Sequence, residues 1–242
     1  MRRRVRPIYQ DTFVRRRRWL IAGVVICVLA VIIALIAWWQ LRNPRPNTKT
    51  YPVLGVRISQ TDGTQDYTKL QKVGVQFVYL KATEGASYFD DNFATNYSQA
   101  QGSDMRVGVY HYFSFTSTPT RQAAAFFKNV GNDIGDLPIG VEVSAYTTVP
   151  STAKLTKKLT AFVSALRIHY DAKVMLIGTQ EMLAKVKTVS PDAPRMVISS
   201  STRAGKKGTF WQYATAAKIP GGDGSTYRTV VFTNTQSSFD GM

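Results

Sequence analysis

A single cysteine in 242 residues rules out an intramolecular disulfide. That residue, Cys27, lies inside an apolar run. Histidine is nearly as scarce. His111 and His169, with no second cysteine, give none of the spacings that hold zinc, so no metal and no cofactor is expected. Acid is also short, with 15 Asp and Glu against 31 Lys and Arg and a formal net charge of +16. An excess of that size is often the footprint of nucleic-acid binding, but its distribution points elsewhere. Eight arginines and one aspartate occupy residues 1–18, and Arg42, Arg45 and Lys49 follow the apolar run. From residue 51 onward the surplus is only +6. Charge flanking a hydrophobic segment is read by a membrane. The rest shows no basic stripe interleaved with aromatics, so no nucleic acid is expected as a partner. The modest remaining surplus suits an anionic surface such as a cell wall.

Charge is absent altogether from Leu20 to Trp39, a run of 20 residues. As a helix this run spans about 30 Å, the thickness of a bilayer core. Trp19, Trp38 and Trp39 mark its ends, where indole rings favour the interface. A cleaved signal peptide has a shorter apolar region, roughly 7–15 residues, and a small-residue cleavage site. The reading is therefore an uncleaved anchor over residues 19–40, with residues 1–18 as a basic cytoplasmic tail and the rest of the chain outside. Residues 41–51, with Pro44 and Pro46, read as a short stiff spacer.

From residue 52 to 242 short apolar runs alternate with amphipathic stretches. Strands are expected at 53–58, 75–80, 106–113, 137–143, 173–177, 195–199, 209–213 and 229–233. Helices are expected at 66–73, 91–101, 120–130, 151–170 and 179–186, with Asp66 and Ser151 as N-caps. Alternation of this kind implies βαβ units and a parallel sheet. Eight strands fit an α/β barrel of the TIM-like type. Little helix separates the last three, so the barrel is expected to be irregular. Its active face should lie at the C-terminal ends of the strands.

The residues at those strand ends carry a resemblance. Gly55-Val56-Arg57-Ile58-Ser59, then Gly63 and Asp66-Tyr67, is similar to the opening of the lysozyme-type muramidases of glycoside hydrolase family 25. Phe77-Val78-Tyr79-Leu80-Lys81-Ala82-Thr83-Glu84-Gly85 resembles that family's second strand, and Gly108-Val109-Tyr110-His111-Tyr112-Phe113 its third. Phe210-Trp211-Gln212-Tyr213 and Ile219-Pro220-Gly221-Gly222 resemble its last segments. The resemblance covers about residues 52–235. It implies an irregular barrel, a bacterial cell envelope and peptidoglycan or another cell-wall glycan as partner.

The resemblance also implies three catalytic acids, an Asp ending the first strand and an Asp-x-Glu pair ending the fourth. Here those positions read Arg57, Glu142 and Ser144. Glycoside hydrolysis needs two carboxyl groups flanking the scissile bond. A guanidinium in place of an acid opposes a developing oxocarbenium charge. Near the chain end, Tyr227-Arg228-Thr229-Val230 also stands where the family pattern carries a Val-Asp-Leu-Asn run. Glu142 remains as the candidate acid, with Asp62 and Glu84 as weaker candidates for a rearranged pair. Arg57, Ser144, Tyr110, His111, Trp211 and Tyr213 are the candidate groove residues, and Trp211 and Tyr213 could stack on a sugar or simply close the barrel. Lys154, Lys157 and Lys158 read as a solvated helix face.

Two functions from different classes follow. One is a membrane-tethered lysozyme-like protein that binds glycan or a protein partner with hydrolysis impaired or absent. The other is an active β-1,4-N-acetylmuramidase with rearranged acids using Glu142. A structural component of a wall assembly, with the barrel as a protein-binding surface, is a third reading.

Overall fold

The computed structural model describes residues 9–41, 45–201 and 208–242, with side chains from 15 to 34 in the first stretch. Residues 1–8 of the expected tail and 42–44 of the expected spacer lie outside the described residues. The chain divides into two units, Met1–Pro44 and Arg45–Met242.

The first unit holds helix α1, Tyr9–Leu41. Its stretch Arg15–Ala34 has a mean hydropathy of 2.2 and is long and apolar enough to cross a membrane. Large apolar side chains all round this stretch are exposed, including Leu20, Val24, Ile26 and Ile33. A helix that is apolar all round is the kind that a membrane or the interior of a large protein covers.

The second unit is a closed barrel. In chain order it contains β1 (Leu54–Ile58), α2 (Tyr67–Lys72), β2 (Val75–Glu84), β3 (Tyr88–Phe89), α3 (Phe93–Gln101), β4 (Arg106–Tyr112) and α4 (Pro119–Val130). It continues with β5 (Ile139–Glu142), α5 (Thr152–Tyr170), β6 (Val174–Thr179), α6 (Gln180–Lys185), β7 (Arg195–Ile198), β8 (Phe210–Lys218), β9 (Thr226–Phe232) and α7 (Gln236–Asp240). Eight strands close the ring, and β3 is a two-residue hairpin partner of β2. Parallel pairing runs from β1 through β2, β4, β5, β6 and β7 to β8. The pairs β8–β9 and β9–β1 are antiparallel. A hairpin thus completes a ring begun by βαβ units, which accounts for the missing helices late in the sequence.

Alternation along the strands makes two cores. Inside the ring lie Phe77, Tyr79, Tyr110, Met175, Ile177, Met196, Phe210, Val230 and Phe232, with Phe239 of α7 packed against Phe77 and Phe232. Two glycines make room for these rings. A Cβ at Gly55 would stand 2.3 Å from the Phe77 ring, and one at Gly108 would stand 2.5 Å from the Tyr79 ring. Outward-facing Val56, Val78, Leu80, Val109, Val141 and Leu176 pack with Leu70, Phe93, Phe126, Leu159 and Phe162 of the helices.

The helix starts follow their capping chemistry. Asp66 accepts from Lys69 N at 2.9 Å, Thr118 and Thr179 cap α4 and α6, and Pro119 occupies the first turn of α4. Ser151 occupies the N-cap of α5 but makes no side-chain capping bond, contrary to the sequence expectation.

Candidate functional site

The strand C-terminal ends bring together a set of charged side chains. Arg57 is the fourth residue of β1, Glu142 the last of β5 and Arg228 the third of β9. Arg57 and Arg228 are direct cross-strand partners. Two guanidinium groups paired across adjacent strands repel each other unless each has an anion.

Each has one. Arg57 forms an ion pair with Glu142, donates to Gln212 Oε1 at 2.7 Å and lies 4.3 Å over the centre of the Tyr110 ring. Ser144 Oγ donates to the other oxygen of Glu142 at 2.9 Å. The Arg57 side chain is 2% exposed and that of Glu142 13%. Burial alone would push the Glu142 carboxyl up. The Arg57 charge and hydrogen bond, the Ser144 hydroxyl and the more distant Arg228 outweigh it and hold Glu142 below the usual carboxylate range. Burial alone would likewise depress Arg57. Glu142 and Tyr110 outweigh it and raise the guanidinium above its ordinary value. Both directions describe a locked ion pair.

Arg228 pairs with Asp62, which also accepts from Ser59 N at 2.7 Å and Ser59 Oγ at 3.1 Å. Lys81 Nζ pairs with Glu84 at 2.5 Å. The three candidate carboxylates therefore all sit at the mouth, and each has its own basic partner. Such an arrangement engages all three as acceptors, and it holds the Glu142 carboxyl below its usual range. It does not resemble the usual catalytic acid, whose pKa is raised by a dry apolar site.

The structure separates the other candidates. Tyr110 lies inside the ring as the floor beneath Arg57. His111 does not line the groove. Its neighbours Tyr110 and Tyr112 face inward, so alternation turns it outward against Phe126 and Phe162. There Thr83 Oγ1 lies 2.7 Å from Nδ1 and Gln122 Oε1 lies 3.0 Å from Nε2. Burial lowers its pKa to about 4. Gln122 Oε1 also accepts from Ser114 N at 2.8 Å, so this buried histidine anchors the loop after β4.

Trp211 and Tyr213 are likewise not groove residues. Gln212 points inward to Arg57, which obliges both flanking aromatics to point outward. Trp211 Nε1 donates to Ser199 O at 2.7 Å, and its ring meets Tyr51 edge-on at 5.5 Å. The two rings therefore hold the segment leading into β1 against the barrel's outer face. Lys158, expected on a solvated face, donates to Phe115 O at 2.8 Å.

Sequence reasoning missed Gln212 and Arg228 as members of the charge cluster. The signals were present as one polar residue within an aromatic run and one basic residue in a departing motif. It also missed an aromatic wall at the mouth. Lys81 Nζ lies 4.7 Å over Tyr88 and 5.4 Å over Tyr112, and Tyr112 lies 5.7 Å from Tyr146.

Comparison with known proteins places this geometry in context. The model of a family described as Glycosyl hydrolases family 25 matches residues 56–222. The autolytic lysozyme of Clostridium acetobutylicum is 32% identical over 89 residues, covering 37% of this chain and 27% of that protein. Lysozyme M1 of Streptomyces globisporus is 36% identical over 83 residues, covering 34% of this chain and 28% of that protein. The matches thus span little more than a quarter of these two relatives. A family 25 glycosyl hydrolase from Bacillus anthracis superposes with a TM-score of 0.72 at 32% identity, covering 79% of this chain and 93% of that one. The bacterial lysozyme of Streptomyces coelicolor shares the fold, with a TM-score of 0.67 at 22% identity over 77% of this chain and 94% of that one.

Proposed function

Because this chain belongs to glycosyl hydrolases family 25, we propose that it is a membrane-anchored lysozyme-like protein that holds peptidoglycan glycan in the barrel mouth with hydrolysis impaired or absent. Relatives named lysozyme support the glycan class. The apolar stretch of α1 and the arginines before it support an anchor with the barrel outside. A protein partner remains part of the proposal, as an alternative occupant of the mouth.

One observation carries the catalytic half of the reading. Glu142 is ion-paired to Arg57 and hydrogen-bonded to Ser144. Glycoside hydrolysis requires a protonated acid and a second carboxyl group, about 5–5.5 Å away for retention or about 6.5–9.5 Å for inversion. A carboxyl held below its usual range is ionised at neutral pH and has no proton to give a leaving oxygen. The cation beside it raises the energy of an oxocarbenium-like centre. The rearranged-acid reading draws on Asp62 and Glu84, and both are occupied by Arg228 and Lys81.

The test is release of reducing ends from purified peptidoglycan by the full-length chain in detergent micelles, alongside Arg57→Asp combined with Ser144→Glu. The wild-type chain should sediment with the wall and release reducing ends at the background rate. The double variant should release them measurably faster. Wild-type turnover that disappears in Glu142→Gln would show that an active muramidase operates with rearranged acids.

A further inference from the structure

Two neighbouring helices on the outside of the ring carry base and no acid. Helix α4 holds Arg121 and Lys128, and α5 holds Lys154, Lys157, Lys158 and Arg167. The chain has no Asp or Glu between Asp104 and Asp133, nor between Glu142 and Asp171. The two helices lie side by side. His169 of α5 stacks on Phe127 of α4 with ring centres 3.8 Å apart, and Lys158 Nζ reaches Phe115 O, in the segment leading into α4, at 2.8 Å.

Arg121, Lys128, Lys154 and Lys157 are exposed. Among the described residues none of these four side chains has an ion-pair partner. Arg121 and Lys128 stand seven positions apart, about 10 Å along one face of α4. Lys154 and Lys157 stand three apart on α5, a spacing at which like charges repel. Acids on the flanking helices do not relieve them. Glu181 of α6 is paired with Lys185 at 2.9 Å, and Asp91, just before α3, accepts from Gln60 Nε2 at 3.0 Å. Asp133 and Asp171 come after the last turns of α4 and α5, whereas Arg121 and Lys154 lie in the first turns. Ala124 and Ala125 lie between the α4 cations, and Ala153 and Ala161 flank those of α5, so no bulky side chain screens the charges from outside.

We propose that this α4–α5 face docks a linear phosphodiester polymer of the cell wall. A phosphodiester stays negative at physiological pH and offers oxygens that Arg and Lys bind through charge-assisted hydrogen bonds. The cations are spread over two helices and are not gathered in a pocket. A small anion would meet one or two of them, while a repeating polyanion meets all four and gains from multivalency. The outer flank of a barrel is convex, so it touches a flat bilayer along a line but lets a flexible strand follow it. The proposal rests on the reading of the barrel as standing outside the membrane at the wall, and the face shares no residue with the mouth.

The experiment measures sedimentation of the full-length chain in micelles with purified walls that carry a poly(glycerol phosphate) polymer. The walls are used intact or after hydrofluoric acid, which cleaves phosphodiesters and leaves the glycan. Wild type should bind intact walls about tenfold more tightly than stripped ones, the summed scale of four exposed ion contacts, and added salt should erase the difference. The variant with Arg121→Gln, Lys128→Gln, Lys154→Gln and Lys157→Gln should bind intact walls about tenfold more weakly than wild type and stripped walls equally well. The charge-conserving variant with Arg121→Lys, Lys128→Arg, Lys154→Arg and Lys157→Arg should stay within about threefold of wild type on intact walls. An unchanged thermal transition in both variants excludes unfolding as the cause. Equal wild-type binding to intact and stripped walls would overturn the polymer face and leave the glycan reading of the mouth standing. A glutamine variant as tight as wild type on intact walls would also overturn the face, as would a charge-conserving variant as weak as the glutamine one. Loss of wild-type binding to intact walls when phosphatidylglycerol is added to the micelles would assign the face to a lipid surface and overturn the polymer. Wild type that binds intact walls and not stripped ones would overturn the glycan reading and leave the face standing.

Discussion

Replacing Glu142 by Gln removes one charge from a buried pair and leaves the other in place. Arg57, 2% exposed, keeps only Gln212 and the Tyr110 face as partners. Breaking a buried pair on one side costs about 3–5 kcal/mol, because the surviving ion has lost its solvent and its partner together. Gln can still accept a hydrogen bond, so about 3 kcal/mol is the expected loss. Arg57→Met should cost at least as much, since it strands Glu142 and leaves Gln212 Oε1 without its donor. The double variant should fall within about 1 kcal/mol of wild type, because removing both ions also removes both desolvation penalties. The coupling energy is then about 5 kcal/mol, well above the value for an exposed pair. Urea titration followed by tryptophan fluorescence measures it. In a domain of this size about 3 kcal/mol also appears as a melting shift of roughly 6–12 °C. The pH dependence has a definite sign. Glu142 is depressed in the folded chain, so the pair's contribution is full above the unfolded carboxyl value of about 4.3 and is lost as pH falls through the lower folded value. The difference between wild type and Glu142→Gln should therefore shrink in strong acid. Single variants that each lose under about 1 kcal/mol and add independently would refute the locked pair, and with it the argument against Glu142 as an acid.

Other residues give further checks. His111 titrates near 6.5 when unfolded and at about 4 when folded, so its neutral form is favoured by the fold and stability declines as pH drops from about 6.5 toward 4. The full decline is about 3 kcal/mol, and His111→Gln should flatten the profile measured by denaturant titration across that window. Gly108→Ala should destabilise by about 1–3 kcal/mol in urea titrations, because its Cβ meets the Tyr79 ring at 2.5 Å inside a filled barrel. Asp66→Ala should cost about 1 kcal/mol through loss of the bond from Lys69 N, read by the same titration.

How much was legible in sequence can be traced residue by residue. The eight barrel strands were readable because buried parallel strands are short, apolar and bounded by polar helix starts. The hairpin closure by β9 was not, since period-2 patterning reports which faces are buried but not which strand lies beside which. Arg57 and Glu142 were identifiable in the sequence as opposite charges at separate strand ends, and ring closure pairs them across the mouth. Arg228 and Asp62 lie 166 positions apart, and nothing local links them. Trp211 and Tyr213 show the opposite failure. Their chemistry suggested a sugar platform, but the orientation of Gln212 between them decided that they face away.

The sequence alone determined the periodicity of each element, the apolar stretch of α1 and the identity of the groups at each strand end, because these depend only on local order along the chain. Tertiary structure decided which acid meets which base and which aromatic faces the mouth. Ring closure brings residues more than a hundred positions apart into contact, and one step along a strand turns a side chain from the cavity to the helices.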